Sequence, residues 1–165
     1  MELVYLIPLL MGLGLLAAVL IAWAWLARPA ADRVEYPDPD FTDRAGFRFT
    51  DLPADPLLTQ GKSWLLQRYL AQLDFTVEPG WSFWLRSAKS GRDLKLQEVA
   101  RVYHQRQTQE MEGVTVTVRR SPGGAALFTW SRDGMDLALY FPEGEMGLAG
   151  GLADDFIRET RLERT

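Results

Sequence analysis

The chain has 165 residues, enough for one ordinary domain and one extra segment. It carries 18 basic and 22 acidic residues, one histidine and no cysteine. This excludes disulfides, thiolate metal sites and lipid attachment through cysteine, and a lone imidazole argues against the usual zinc or iron centre.

The first element is an uncharged run, Leu3 to Leu26. As a helix rising about 1.5 Å per residue it measures about 36 Å, more than the roughly 30 Å of a bilayer's hydrocarbon core. The start, MELVY, has no basic residue, and the run is too long for the apolar middle of a signal peptide. The expectation is an uncleaved transmembrane anchor over 1–27. Tyr5 near one end and Trp23 and Trp25 near the other suit the headgroup region, so membrane lipid is an expected partner. Gly14, Ala18 and Ala22, with Ala17 beside them, form a small-residue face on which a second helix could pack closely. Arg28, Arg33, Arg44 and Arg48 follow the run, and positive flanks favour the cytoplasmic side for the rest of the chain.

Residues 28–44, RPAADRVEYPDPDFTDR, mix proline with acids without a period and read as a semi-extended linker. The remainder, 45–165, has enough apolar residues for one core. Ser63 to Leu73 places Leu65, Leu66, Tyr69, Leu70 and Leu73 on one stripe, the pattern of an amphipathic helix. After it the period becomes two. Phe75 and Val77 lead to the Pro79-Gly80 turn, WSFWL makes a second strand, and 99–105 a third.

Val114, Val116 and Val118 alternate with polar residues, as do Ala126, Phe128 and Trp130. Asp133-Gly134 is a hairpin signal before the strand Met135 to Phe141. The tail from Met146 to Leu162 carries Leu148, Leu152, Phe156 and Ile157 along a helical stripe. The order implies an α+β domain, an antiparallel β-sheet covered by helices, behind a single N-terminal transmembrane helix. Residues 128–157, FTWSRDGMDLALYFPEGEMGLAGGLADDFI, resemble the closing hairpin and helix of bacterial envelope domains tethered by one membrane helix. No residue role or activity follows from that resemblance.

Gly61-Lys62-Ser63 imitates the end of a phosphate-binding loop, G-x-x-x-x-G-K-[ST]. The first glycine position is Pro56, which has no N–H to offer, so no nucleotide is expected. His104 has no G-x-S-x-G serine to activate, and alternation places it with Val102 and Arg106 as a structural histidine. Asp38, Asp40 and Asp43 lack the glycine and closing glutamate of a calcium loop. No basic stripe interleaved with aromatics suggests nucleic acid. In WSFWL, Trp81 and Phe83 share one face and Trp84 takes the other, which makes Trp84 the candidate protein interface.

These residues nominate no catalytic group, cofactor or metal. The expected function is non-catalytic: an accessory, scaffolding or assembly subunit of a membrane protein complex, with other membrane subunits as partners. The alternative is a membrane-tethered sensor or small-ligand-binding domain with a pocket between sheet and helix.

Overall fold

Alternating apolar residues separated by turn signals set the architecture of the domain, and they do so over more of the chain than the helical stripes suggest. The computed structural model describes residues 33–99, 103, 105–142 and 146–165. In chain order the strands are β1 (Arg33–Tyr36), β2 (Phe47–Asp51), β3 (Leu58–Leu66), β4 (Leu70–Val77), β5 (Trp81–Lys89), β6 (Gln105–Met111), β7 (Val114–Arg120), β8 (Ala126–Arg132) and β9 (Met135–Phe141). Helix α1 (Met146–Glu159) and β10 (Arg161–Arg164) follow. Eight strands form one antiparallel sheet in the order β1-β3-β4-β5-β9-β8-β7-β6, and β2 pairs with β10. The sheet is thus two meanders joined at its centre by β5 and β9. The segment between β5 and β6 must travel from the centre to the far edge, which carries it across one face.

Period-two alternation splits every strand between two faces. On the first, Leu73, Leu85, Leu139, Phe128 and Val118 follow one another across five strands in register. Helix α1 lies on this side, where Phe156 meets Phe75 and Phe83 edge-on at 5.0 and 5.6 Å. Phe83 in turn stacks on Phe141 at 4.7 Å. Phe41, Phe47 and Phe49 extend the same core under the β2–β10 ribbon. Burying side chains of this size contributes about 1.5–3 kcal/mol each, which makes this layer the main source of stability. Residues 32–165 form one compact unit, and β1, inside the stretch read as a linker, pairs with β3 in it.

Several expectations need correction. The fold is mostly β, with one α-helix among the described residues rather than helices covering the sheet. The helix expected over Ser63–Leu73 is the β3–β4 hairpin. Its turn, Gln67-Arg68-Tyr69, places Gln67 and Arg68 at φ 50° and 65°. Pairing Leu65 with Ala71 and Ser63 with Leu73 seats both strands in the core, and that packing overrides the local helical stripe. Of the strand expected over 99–105, Gln105 opens β6 and Val99 instead closes the 3₁₀ turn Leu96–Glu98 by donating its amide to the Leu96 carbonyl, while 100–102 and 104 lie outside the described residues.

The membrane expectation is also corrected. Among the described residues no helix is long and apolar enough to cross a membrane. Helix α1, at 14 residues, measures about 21 Å and bears Asp154 and Asp155. The single-pass placement is therefore not retained. The span expected over 1–27, with Gly14, Ala17, Ala18, Ala22, Tyr5, Trp23 and Trp25, lies outside the described residues. His104 lies outside them too.

Candidate functional site

The second face of the sheet holds the site. Tracing the register across it gives the row Glu35, Trp64, Gln72, Arg86, Ala138, Thr129, Thr117, Thr108, one residue per strand from β1 to β6. A neighbouring row runs Asp74, Trp84, Tyr140, Leu127, Arg119, Arg106. One half of this surface is therefore aromatic and ionic, and the other is a ladder of hydroxyls.

Polar side chains in the first half are joined in a chain. Arg33 Nη2 and Trp64 Nε1 donate to Asp74 Oδ2 at 3.4 and 2.7 Å, and Gln72 Nε2 donates to Asp74 Oδ1 at 2.7 Å. Arg86 Nε donates to Gln72 Oε1 at 2.9 Å, while its Nη1 donates to the carbonyls of Leu94 and Lys95 at 3.2 and 2.7 Å. Arg86 is only 7% exposed. A buried guanidinium needs its donors occupied, and the crossover segment supplies two of the acceptors. Arg86 thereby ties that segment to the sheet.

A second tie lies at the segment's start. Ser90 Oγ and Ser131 Oγ donate to Asp136 Oδ1 at 2.8 and 2.7 Å, and the Gly91 amide donates to Oδ2 at 3.0 Å. Burial pushes the Asp136 carboxyl up, but these three bonds outweigh it and hold the group below the usual carboxylate range. Within the segment, Asp93 Oδ1 accepts from the Lys95 amide at 2.8 Å, and Tyr69 Oη donates to the Asp93 carbonyl at 3.1 Å.

Between this pinned segment and strands β7, β8 and β9 lies a cleft of about 880 Å³. Arg92, Asp93, Leu94, Leu96 and Gln97 form its outer wall. Its floor carries Thr115, Thr117, Thr129 and Ser131 with Asp136, and Arg119 stands at one end. Arg119 Nε and Tyr103 Oη are buried and have no hydrogen-bond partner among the described residues. Burial, with the neighbouring Tyr140 adding to it, pushes the Tyr103 phenol up to about 12 despite Arg119.

The chain matches no protein-family model, and no curated protein or solved structure is significantly similar to it.

No counterpart was found for the resemblance of residues 128–157 to tethered envelope domains. Trp84, nominated from alternation, does stand on the second face. Its ring is half-buried, 5.1 Å from Tyr140 and beneath the Arg86 guanidinium at 4.3 Å. None of the groups lining the cleft was singled out from sequence. The signal that could have found them is the polar phase of Val114–Val118, whose threonines alternate with a buried valine row. Among the described residues no cluster of three or more histidine or acidic side chains could hold a metal.

Proposed function

We propose that this domain is a non-catalytic receptor for a small polar ligand bearing several hydroxyl groups, held in the cleft between the crossover segment and β7–β9. The observation that carries the reading is the cleft itself, preformed by the Arg86 and Asp136 ties and floored by threonine and serine hydroxyls. Its size falls in the range typical of small-molecule sites, roughly 300–1,000 Å³. Thr115, Thr129 and Ser131 donate their protons to Glu110, the Thr117 carbonyl and Asp136, which leaves their lone pairs to accept from the hydroxyls of a ligand. Arg119 Nε adds a donor already removed from bulk water. Leu94 and Leu96 supply apolar contact from above.

Asp136 supports binding rather than chemistry. A carboxylate held below its usual range by three donors is a weak base, and its neighbouring serines spend their protons on it. The accessory-subunit reading has less support, because Trp84 already packs within the chain.

The test is a thermal-shift screen of the full chain against neutral sugars, polyols and hydroxy acids, beside native mass spectrometry of the purified protein. A stabilising compound whose effect is lost in the T117V/T129V chain is the expected result. If no compound stabilises the protein, no small molecule is retained, and a protein partner copurifies stoichiometrically, the subunit reading replaces this one.

A further inference from the structure

The sequence is acidic, with a net charge of −4, yet every charged side chain that lines one pocket of the fold is a cation. It has a volume of about 400 Å³ and is lined by Arg44, Arg68, Lys89 and Arg92, with Gln67, Tyr69 and Ala45. No acidic side chain lines it. The side chains of Arg68 and Lys89 make no hydrogen bond or ion pair with a described residue. Arg44 has only its neighbour in sequence, Asp43, at 3.8 Å, and Arg92 only the Tyr69 ring at 5.5 Å. Other cations of the same sheet are matched: Arg33 with Asp74, Lys62 with Glu35, Lys95 with Asp93.

The backbone fixes where Arg68 stands. It is carried by the β3–β4 turn, in which Gln67 and Arg68 both adopt left-handed φ, the ordinary geometry of a tight hairpin turn and one that the Glu112-Gly113 and Asp133-Gly134 turns share. The turn is held in this form by Tyr69, whose amide donates to the Leu66 carbonyl and whose hydroxyl reaches the Asp93 carbonyl. Four like charges gathered with Asp43 as the one carboxylate paired to them among the described residues repel one another, and a bound dianion would reverse the sign of that energy.

We infer that this pocket binds a phosphate-type dianion, either free phosphate or the phosphate of a monoester. The guanidinium groups of Arg44, Arg68 and Arg92 offer planar pairs of donors to phosphate oxygens, and Lys89 adds a point charge. Arg92 also walls the hydroxyl-floored cleft, so the two sites adjoin. The dianion site stands without the cleft reading, because Arg44, Arg68 and Lys89 line it and not the cleft.

The experiment titrates the ¹⁵N-labelled full chain with inorganic phosphate and, in a parallel arm, with glycerol 3-phosphate. Sodium chloride at equal ionic strength serves as the control. Saturable shifts of the Gln67–Tyr69 and Arg92 amides are expected with phosphate and absent with chloride. A monoester that binds several-fold tighter than phosphate identifies an ester as the source; the reverse order identifies free phosphate. R68Q/K89Q should weaken binding by tenfold or more, since each removes a charge-assisted contact. R68K should keep most of it, and T117V/T129V should leave it unchanged. Shifts matched by chloride, or phosphate binding that survives R68Q/K89Q in a folded chain, would overturn the inference.

Discussion

Replacing Arg86 with methionine should loosen the crossover segment while leaving the core sheet folded. The side chain is 7% exposed and donates at least three hydrogen bonds, to Gln72 Oε1 and to the carbonyls of Leu94 and Lys95. Hydrogen bonds from a charged donor contribute about 1.5–3 kcal/mol each, so their sum sets an upper limit. Methionine fills most of the volume, and water can reach the two carbonyls once the segment lifts, which returns part of the loss. The expected cost is about 3 kcal/mol, close to that of removing one member of a buried polar pair. For a unit of this length it corresponds to a fall in Tm of roughly 10 °C. Calorimetry would give the global change and amide exchange its distribution. The Lys95 and Val99 amides, bonded to Asp93 and Leu96 within the segment, should accelerate by more than the β4 and β9 amides do. A Tm lowered by less than about 3 °C, with exchange in the segment unchanged, would refute the tether.

Substitutions at three further positions have expected outcomes. Asp136 has a depressed pKa, so its contribution is complete above the unfolded value of about 3.9 and is lost as pH falls through the lower folded value. Denaturation of the D136N chain should therefore lack that acid-side loss, measured by urea midpoints between about pH 2 and 6. Tyr103 has its pKa raised to about 12, so stability should decline as pH rises from about 10, and Y103F should lessen the decline, leaving the part due to Tyr36, whose pKa is also raised. Because the buried Tyr103 hydroxyl has no partner among the described residues, Y103F should also leave midpoint stability at neutral pH unchanged or slightly higher. Gly134 sits at φ 73° in the β8–β9 turn, where a valine should lower stability by about 1–2 kcal/mol in the same assay.

What could be read from the residues depended on whether the chain supplied turn residues. Asp133-Gly134 and the VTVTV alternation announced β7, β8 and β9, because a positive φ there favours glycine and each valine is spaced to face the core. The β3–β4 hairpin was invisible for the opposite reason. Gln67-Arg68-Tyr69 contains no glycine, proline, asparagine or aspartate, and Leu66 and Leu70, paired across it, are apolar residues of the opposite phase to the core positions Ser63, Leu65, Ala71 and Leu73. Read straight through, the two sets together reproduce a helical stripe. Only the packing of the paired strands against the rest of the core decides between the two, and it has no local signature.

The site was hidden for a related reason. Polar residues on strands ordinarily mark the solvated face, so Gln72, Arg86 and the β7 threonines carried no warning that another segment would cover them. The cover follows from topology: β5 and β6 lie at the centre and the edge of one sheet, so the residues between them must cross a face. Once that crossing is known, the buried polar row becomes necessary. An uncovered sheet face could leave Arg86 in water, whereas a covered one must give it acceptors, and the backbone carbonyls of the covering segment are the nearest available. The basic pocket arises from the same geometry. Arg44, Arg68, Lys89 and Arg92 are scattered over some fifty residues, and they meet because the β3–β4 turn and the end of β5 close on the same side of the sheet. Sites assembled this way leave no motif, which is why alternation could place Trp84 on its face and yet could not find either cleft.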